Sequence, residues 1–194
     1  MNEAVEQISI ETLRGLVRLD PDTGRLFWIE RGVEWFSDTP RRTATHSCAW
    51  WNSRFSNKEA FYSDVSDYGT GKIFGRRYYR HVVIFALTHG RWPAGYVDHK
   101  DRDRGNDRPY NLREATRRQN NQNVPGRGEA SSLKGVSWKK QNQKWCARCS
   151  DPTGKRHHLG YFSEVVDAAR AYDRAALAWH GEFAHLNFPE DQAK

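Results

Sequence analysis

An aspartate and a histidine stand side by side at the end of a short apolar run, Tyr96-Val97-Asp98-His99. Asn111 follows twelve residues after the histidine, and Asn120 nine residues after that. These residue types suit one kind of reaction. A carboxylate and an amide oxygen can hold a hard divalent cation while leaving positions open for phosphate oxygens. An imidazole whose ordinary pKa lies near working pH can take the proton from an attacking water. Together they are the parts of a phosphodiester-hydrolysing site, with Asp98 and Asn120 as metal ligands and His99 as general base.

Such groups act only if the chain folds them to one point, and the surrounding residues indicate how it does. Tyr96 and Val97 read as a brief strand, the Gly/Asn/Asp/Arg/Pro-rich run 102–109 as a loop, and Asn111-Leu112-Arg113 as the returning strand. Thr116-x-x-Gln119 is a capping box that starts a helix, with Asn120 about one turn along it. Arg102, Arg104, Arg108, Arg113, Arg117 and Arg118 surround the proposed centre. Guanidinium groups neutralise phosphates well, so some of these, with Arg113, Arg117 and Arg118 foremost, are expected on DNA.

The pattern Asp98-His99 … Asn106-x-Arg108 … Asn111-Leu112-Arg113-x-Ala115-Thr116 … Asn120-x-x-Asn123 resembles the HNH, or ββα-metal, nucleases of the phage and intron homing type. The resemblance implies His99 as general base, Asp98 and Asn120 on one Mg²⁺ or Mn²⁺, and Asn111 as the residue orienting the histidine's loop. The third motif position is Asn here where many members have His, so a modest metal affinity is expected. His81 precedes an apolar helix and is either a satisfied structural histidine or a support of the site.

Composition narrows the partners. The 194 residues carry a formal charge of +7 and a pI near 9.4, which point to a polyanion. A hydrophobic fraction of 37%, with 13% aromatic residues and a mean hydropathy of −0.92, favours small modules whose cores draw on rings. Three cysteines, no secretory apolar region and no 18-residue apolar run imply a reducing, cytoplasmic setting and no membrane span. Cys146-x-x-Cys149 has no second pair and sits in a strand-like run, so two thiols are expected there and no structural zinc.

The predicted organisation is α+β in four stretches. Residues 1–60 form an accessory segment with a short helix, a turn at Asp20–Gly24 and a strand at Leu26–Ile29. It holds eight acidic and four basic residues within its first forty, so its role is packing. Residues 61–123 form the nuclease core, opening with a hairpin over Gly71–Tyr79 that turns at Gly75-Arg76 and a helix over Arg80–Thr88 closed by Gly90. Residues 124–132, rich in Pro, Gly and Ser, read as a linker.

From 133 to 190 the pattern becomes three alternating strands and one helix from Ser163, its expected N-cap, to Trp179. Seven Lys or Arg oppose the single Asp151 between Ser132 and Gly160. Gly135-Val136-Ser137-Trp138, Lys144-Trp145-x-Ala147-Arg148, Leu159-Gly160-x-Phe162 and Ala168-Ala169-x-Ala171-Tyr172-Asp173 resemble the AP2/ERF DNA-binding domain: a three-stranded antiparallel sheet on one helix. The resemblance implies that Trp138, Lys140, Lys144, Trp145, Arg148 and Arg156 enter the major groove of double-stranded DNA. One or both tryptophans could instead pack against the helix, and for Trp145 the two readings weigh equally. The whole then reads as a site-specific homing endonuclease, a monomer or weak dimer encoded by a phage, that nicks one strand per centre. A non-catalytic DNA-binding regulator and a general defence or packaging nuclease are the alternatives.

Overall fold

The computed structural model describes residues 7–62, 68–126 and 132–192, which divide into two compact units, Met1–Glu114 and Ala115–Lys194. In the first unit, the Ser9 hydroxyl accepts from the Thr12 amide at 3.0 Å and so caps α1 (Ile10–Leu16). Leu13 and Leu16 fall on its inner face and are fully buried. The chain passes directly into β1 (Val17–Asp20), turns, and returns as β2 (Arg25–Trp28), with Val17 opposite Trp28 and Leu19 opposite Leu26. Val17 and Leu19 continue the helical spacing of α1 in the sequence, which hid the strand they form. A third strand, β3 (Glu59–Ala60), adds to β2.

Between β2 and β3 lies α2 (Ala44–Phe55), capped by the Thr43 hydroxyl. None of its residues is fully buried. It is tied down by the Asn52 side chain, which accepts from the Arg31 amide at 3.0 Å and donates to the Arg31 carbonyl at 2.8 Å. The Arg31 guanidinium lies 3.8 Å from the centre of the Trp51 ring.

The expected hairpin is present as β4 (Thr70–Ile73) and β5 (Arg76–Tyr79). Its turn is Phe74-Gly75, one residue earlier than read, both at positive φ (49° and 78°) as a tight hairpin turn requires. It leads into α3 (Arg80–His89), which ends at Gly90 with φ 65°. Val83, Ile84, Phe85 and Ala86 of α3 join Leu13, Leu16, Leu26 and Ile73 in the first core. Against α3 runs β6 (Tyr96–His99), paired with β7 (Leu112–Ala115). Asn111 precedes that strand, in a single 3-10 turn at Pro109–Asn111.

The second unit begins with α4 (Arg117–Gln122), whose capping box is complete: the Gln119 amide donates to the Thr116 hydroxyl at 3.2 Å, and the Thr116 amide to Gln119 Oε1 at 2.8 Å. Of the expected linker, residues 127–131 lie outside the described residues. Three antiparallel strands follow in order, β8 (Val136–Lys139), β9 (Lys144–Ser150) and β10 (Arg156–Phe162), with α5 (Val165–His180) across one face. The N-cap of α5 is Glu164, one residue beyond Ser163, and neither a serine bond nor any other side-chain bond caps it. Ala168, Ala169 and Ala171 of α5 pack with Val136 and Ala147 of the sheet. Gly135 enters β8 at φ 75°, and a Cβ there would lie 2.0 Å from the Tyr172 ring, so helix and strand meet at a position only glycine fills. Among the described residues no helix is long and apolar enough to cross a membrane.

Candidate active site and nucleic-acid interface

Asp98 and His99 close strand β6 with only 6% and 4% of their surface exposed. Burial of that depth requires partners. Asp98 Oδ2 accepts from Arg113 Nε at 3.0 Å and Nη2 at 2.8 Å, an ion pair across the β6–β7 hairpin. Arg113, expected on DNA, therefore turns its guanidinium to the neighbouring carboxylate. His99 Nε2 lies 2.6 Å from Asp107 Oδ1. The other oxygen of Asp107 accepts from Arg80 Nε at 2.5 Å. Asp107, 1% exposed, was not singled out by the sequence. The only signal was its place eight residues after His99, in a loop crowded with aspartates.

Asn111 holds that loop. Its amide donates to Asp101 Oδ1 at 2.8 Å and to the Asn106 carbonyl at 2.7 Å, while its oxygen accepts from the Asp101 amide at 3.1 Å. Asp101 in turn accepts from Asn106 Nδ2 at 2.6 Å. Burial alone would raise the Asp101 carboxyl, but the donors from Asn106 and Asn111 bring it below its ordinary value. Asn111 thus shapes the segment that carries Asp107 back to His99.

His81, the second residue of α3, lies beside this group, its ring centroid 5.2 Å from that of His99. Its Nδ1 is buried with no hydrogen-bond partner. Burial, then the charges of His99 and Arg80, push its pKa down to about 4 against the opposing pull of Asp107, so the ring is neutral and a lone pair is available. His81, His99 and Asp107 each offer a ligand atom, all within 4.8 Å of one another, and could hold a metal ion. Two nitrogens and one oxygen suit a transition metal better than magnesium. Arg80 already neutralises the carboxylate of this set, which weakens its call on a cation.

In the second unit, Asn120 stands half-buried in α4, with Arg117 and Arg118 exposed one turn before it. The Arg118 guanidinium donates to the Pro152 carbonyl. The sheet's two faces follow from strand alternation and register. Val136, Trp138, Trp145, Ala147 and Cys149 point to the α5 side; Ser137, Lys139, Lys144, Cys146, Arg148 and Ser150 point away, continued by Arg156 and His158 on β10. Trp138 and Trp145 face each other across the ladder at 5.2 Å, and Trp145 packs on the alanine-lined core. Both therefore lie behind the sheet, not on its open face. Lys140 sits in the β8–β9 turn. Lys144, Arg148 and Arg156 lie on the open face, joined by Lys139, to which the sequence pattern assigned no role. A cleft of about 940 Å³ in this unit is lined by Arg117, Arg118, Lys134, Lys139, Arg148 and Arg156.

The same alternation separates the two cysteines of the Cys-x-x-Cys run. Cys146 lies 3.4 Å from His158 Nδ1 on one face, and Cys149 lies 3.9 Å from His180 Nε2 on the other. Burial pushes the Cys149 thiol up to about 11.

Residues 78–122, spanning α3, the β6–β7 hairpin and α4, match the HNH endonuclease family. Part of the chain is also similar to plant proteins. It is 44% identical over 57 residues to Dehydration-responsive element-binding protein 2E of Arabidopsis thaliana, covering 25% of this chain and 23% of that protein. An ethylene-responsive transcription factor of the same plant is 46% identical over 63 residues, 32% of this chain and 34% of its own length. APETALA2-like protein 2 of Oryza sativa subsp. indica is 43% identical over 60 residues, covering 30% and 14%. The chain thus spans about a third or less of the length of each of these relatives. Both parts of the architecture read from the sequence are supported: a segment that matches the HNH endonuclease family and a segment similar to proteins of the AP2/ERF type.

Proposed function

We propose that this chain is a site-specific DNA endonuclease of the homing type, in which the HNH segment cuts and the AP2/ERF-type sheet reads. The observation that carries the cutting half is the His99 ring, buried at the end of β6 beside Asp98 and gripped through Nε2 by Asp107, inside the stretch that matches the nuclease family. A hydrogen bond from Nε2–H leaves the lone pair on Nδ1, where a general base needs it.

On this reading His99 takes a proton from the attacking water. Asp98, anchored by Arg113, and Asn120 would hold one divalent cation, Mg²⁺ or Mn²⁺, which supplies charge neutralisation at the scissile phosphate when bound. Asn111 keeps the 101–106 loop folded. One such centre serves one strand, so a monomer nicks. Support for a second placement of the ion, on His81, His99 and Asp107, comes from the unpartnered Nδ1 of His81.

The reading half rests on the open sheet face, where Lys139, Lys144, Arg148 and Arg156 gather without an intervening acid. Lysine and arginine there supply phosphate and guanine contacts, with Lys140 at the hairpin tip. Trp138 and Trp145 stiffen the hairpin from behind.

The test is nicking of supercoiled plasmid carrying the sequence flanking the reading frame, with Mg²⁺, by the full chain and by His99→Ala. The variant is expected to lose at least about 100-fold in rate and to keep its DNA affinity. Equal rates for the two proteins, or no cleavage by the unaltered chain, would leave a DNA-binding regulator. His81→Ala distinguishes the two placements of the ion. The half-saturating metal concentration is expected to stay the same, and a rise of tenfold or more would move the cation to the histidine pair.

A further inference from the structure

We infer that Asp107, backed by Arg80, dictates which ring nitrogen of His99 carries the proton, and that it is therefore a positioning residue for the general base. This rests on the nuclease reading above. Asp107 is among the most buried side chains of the first unit and bridges two groups: Oδ1 to His99 Nε2 at 2.6 Å, Oδ2 to Arg80 Nε at 2.5 Å. A carboxylate only accepts and a guanidinium only donates. The hydrogen between Asp107 and His99 must then belong to Nε2, which makes Nδ1 the basic atom.

Arg80 is placed for this by the fold. It is the first residue of α3, its amide donates to the Gly69 carbonyl at 2.8 Å, and its Nη1 lies 3.8 Å from Glu59. Asn111, which the family resemblance ties to the histidine's loop, spends its side-chain bonds on Asp101 and Asn106.

The polarity of this chain makes Asp107→Asn informative. Arg80 can only donate, so the new amide must turn its oxygen to Arg80 and its NH₂ to His99 Nε2. That nitrogen becomes an acceptor, the proton moves to Nδ1, and the base is lost although the volume is unchanged. The expected result is a fall of roughly 100-fold or more in nicking rate, with DNA affinity retained. NMR shifts of the His99 ring nitrogens should show Nε2–H in the unaltered protein and Nδ1–H in the variant.

Adding Arg80→Met to Asp107→Asn frees the amide to rotate its oxygen toward His99. At least about tenfold of the rate should return, together with the Nε2–H signature. Arg80→Lys in the same background keeps a donor, and no recovery is expected. The inference is overturned if His99 shows the same tautomer with Asp or Asn at 107, or if the Met and Lys double variants behave alike. If the unaltered chain does not cut DNA at all, the nuclease reading fails, while the ring-nitrogen shifts still decide the role of Asp107.

Discussion

Arg113 and Asp98 neutralise each other in a space with little access to water, their side chains 9% and 7% exposed. Removing one member of such a pair strands the other charge, which typically costs about 3–5 kcal/mol. Arg113→Met is therefore expected to lower the urea stability of the first unit by an amount in that range. If Asp98 is a metal ligand, Mg²⁺ or Mn²⁺ should restore more stability to this variant than it adds to the unaltered protein, because the cation takes over the guanidinium's task. An identical metal effect on both proteins would remove Asp98 from the ligand set. His81 gives a second residue-scale expectation. Its pKa is lowered to about 4 by burial, His99 and Arg80, with Asp107 opposing, and the Tyr68 and Tyr79 rings lie against it. An unfolded histidine takes its proton near pH 6.5. The stabilising contribution of the neutral ring is thus complete above about pH 6.5 and declines as pH falls toward 4, by at most ~1.4 kcal/mol per pH unit. Urea midpoints measured across that window should slope for the unaltered protein and flatten for His81→Gln.

The elements differ in how much of their stability is their own. Helix α4 has six residues, too few to hold alone in water. Its N-terminus is secured by the Thr116–Gln119 box, and its C-terminus by the Lys134 ammonium, which donates to the carbonyls of Asn121 at 3.3 Å, Gln122 at 2.5 Å and Val124. Thr116→Ala should cost about 1 kcal/mol. Lys134→Met removes the other clamp, so amide hydrogen exchange across α4 should accelerate about tenfold, equivalent to roughly 1.4 kcal/mol of local opening. Unchanged protection would mean that α4 is held by other groups. The capping box was legible because both partners lie within four residues. So was the β4–β5 hairpin, since a Gly-containing turn between paired runs is a local signal. Helix α2 was not legible: with no fully buried residue it presents no apolar stripe, and its anchors, Arg31 and the Trp28 ring that meets Trp51 edge-on at 5.7 Å, lie in an earlier segment.

For the molecule as a whole, the charge of +7 announces a polyanionic partner, and the location of that charge decides what kind of interface results. If Arg148 and Arg156 neutralise phosphates, replacing both with Ala in the full chain should reduce the salt slope of DNA binding by about 2, near 0.9 for each phosphate left without its guanidinium. Fluorescence anisotropy over a salt series reads this directly, and an unaltered slope would take both residues off the DNA. The sequence by itself determined the β4–β5 hairpin, helix α3, the capping box of α4, the three strands and one helix of the second unit and the basic character of the C-terminal strands, because capping, turn chemistry and alternation act over a few residues. Only the tertiary structure decided that Arg113 faces Asp98, that Asp107 and Arg80 grip His99, and that Trp138 and Trp145 lie behind the sheet. A side chain's partner depends on where distant segments return in space and on which face a register assigns it, and neither quantity is written in local spacing.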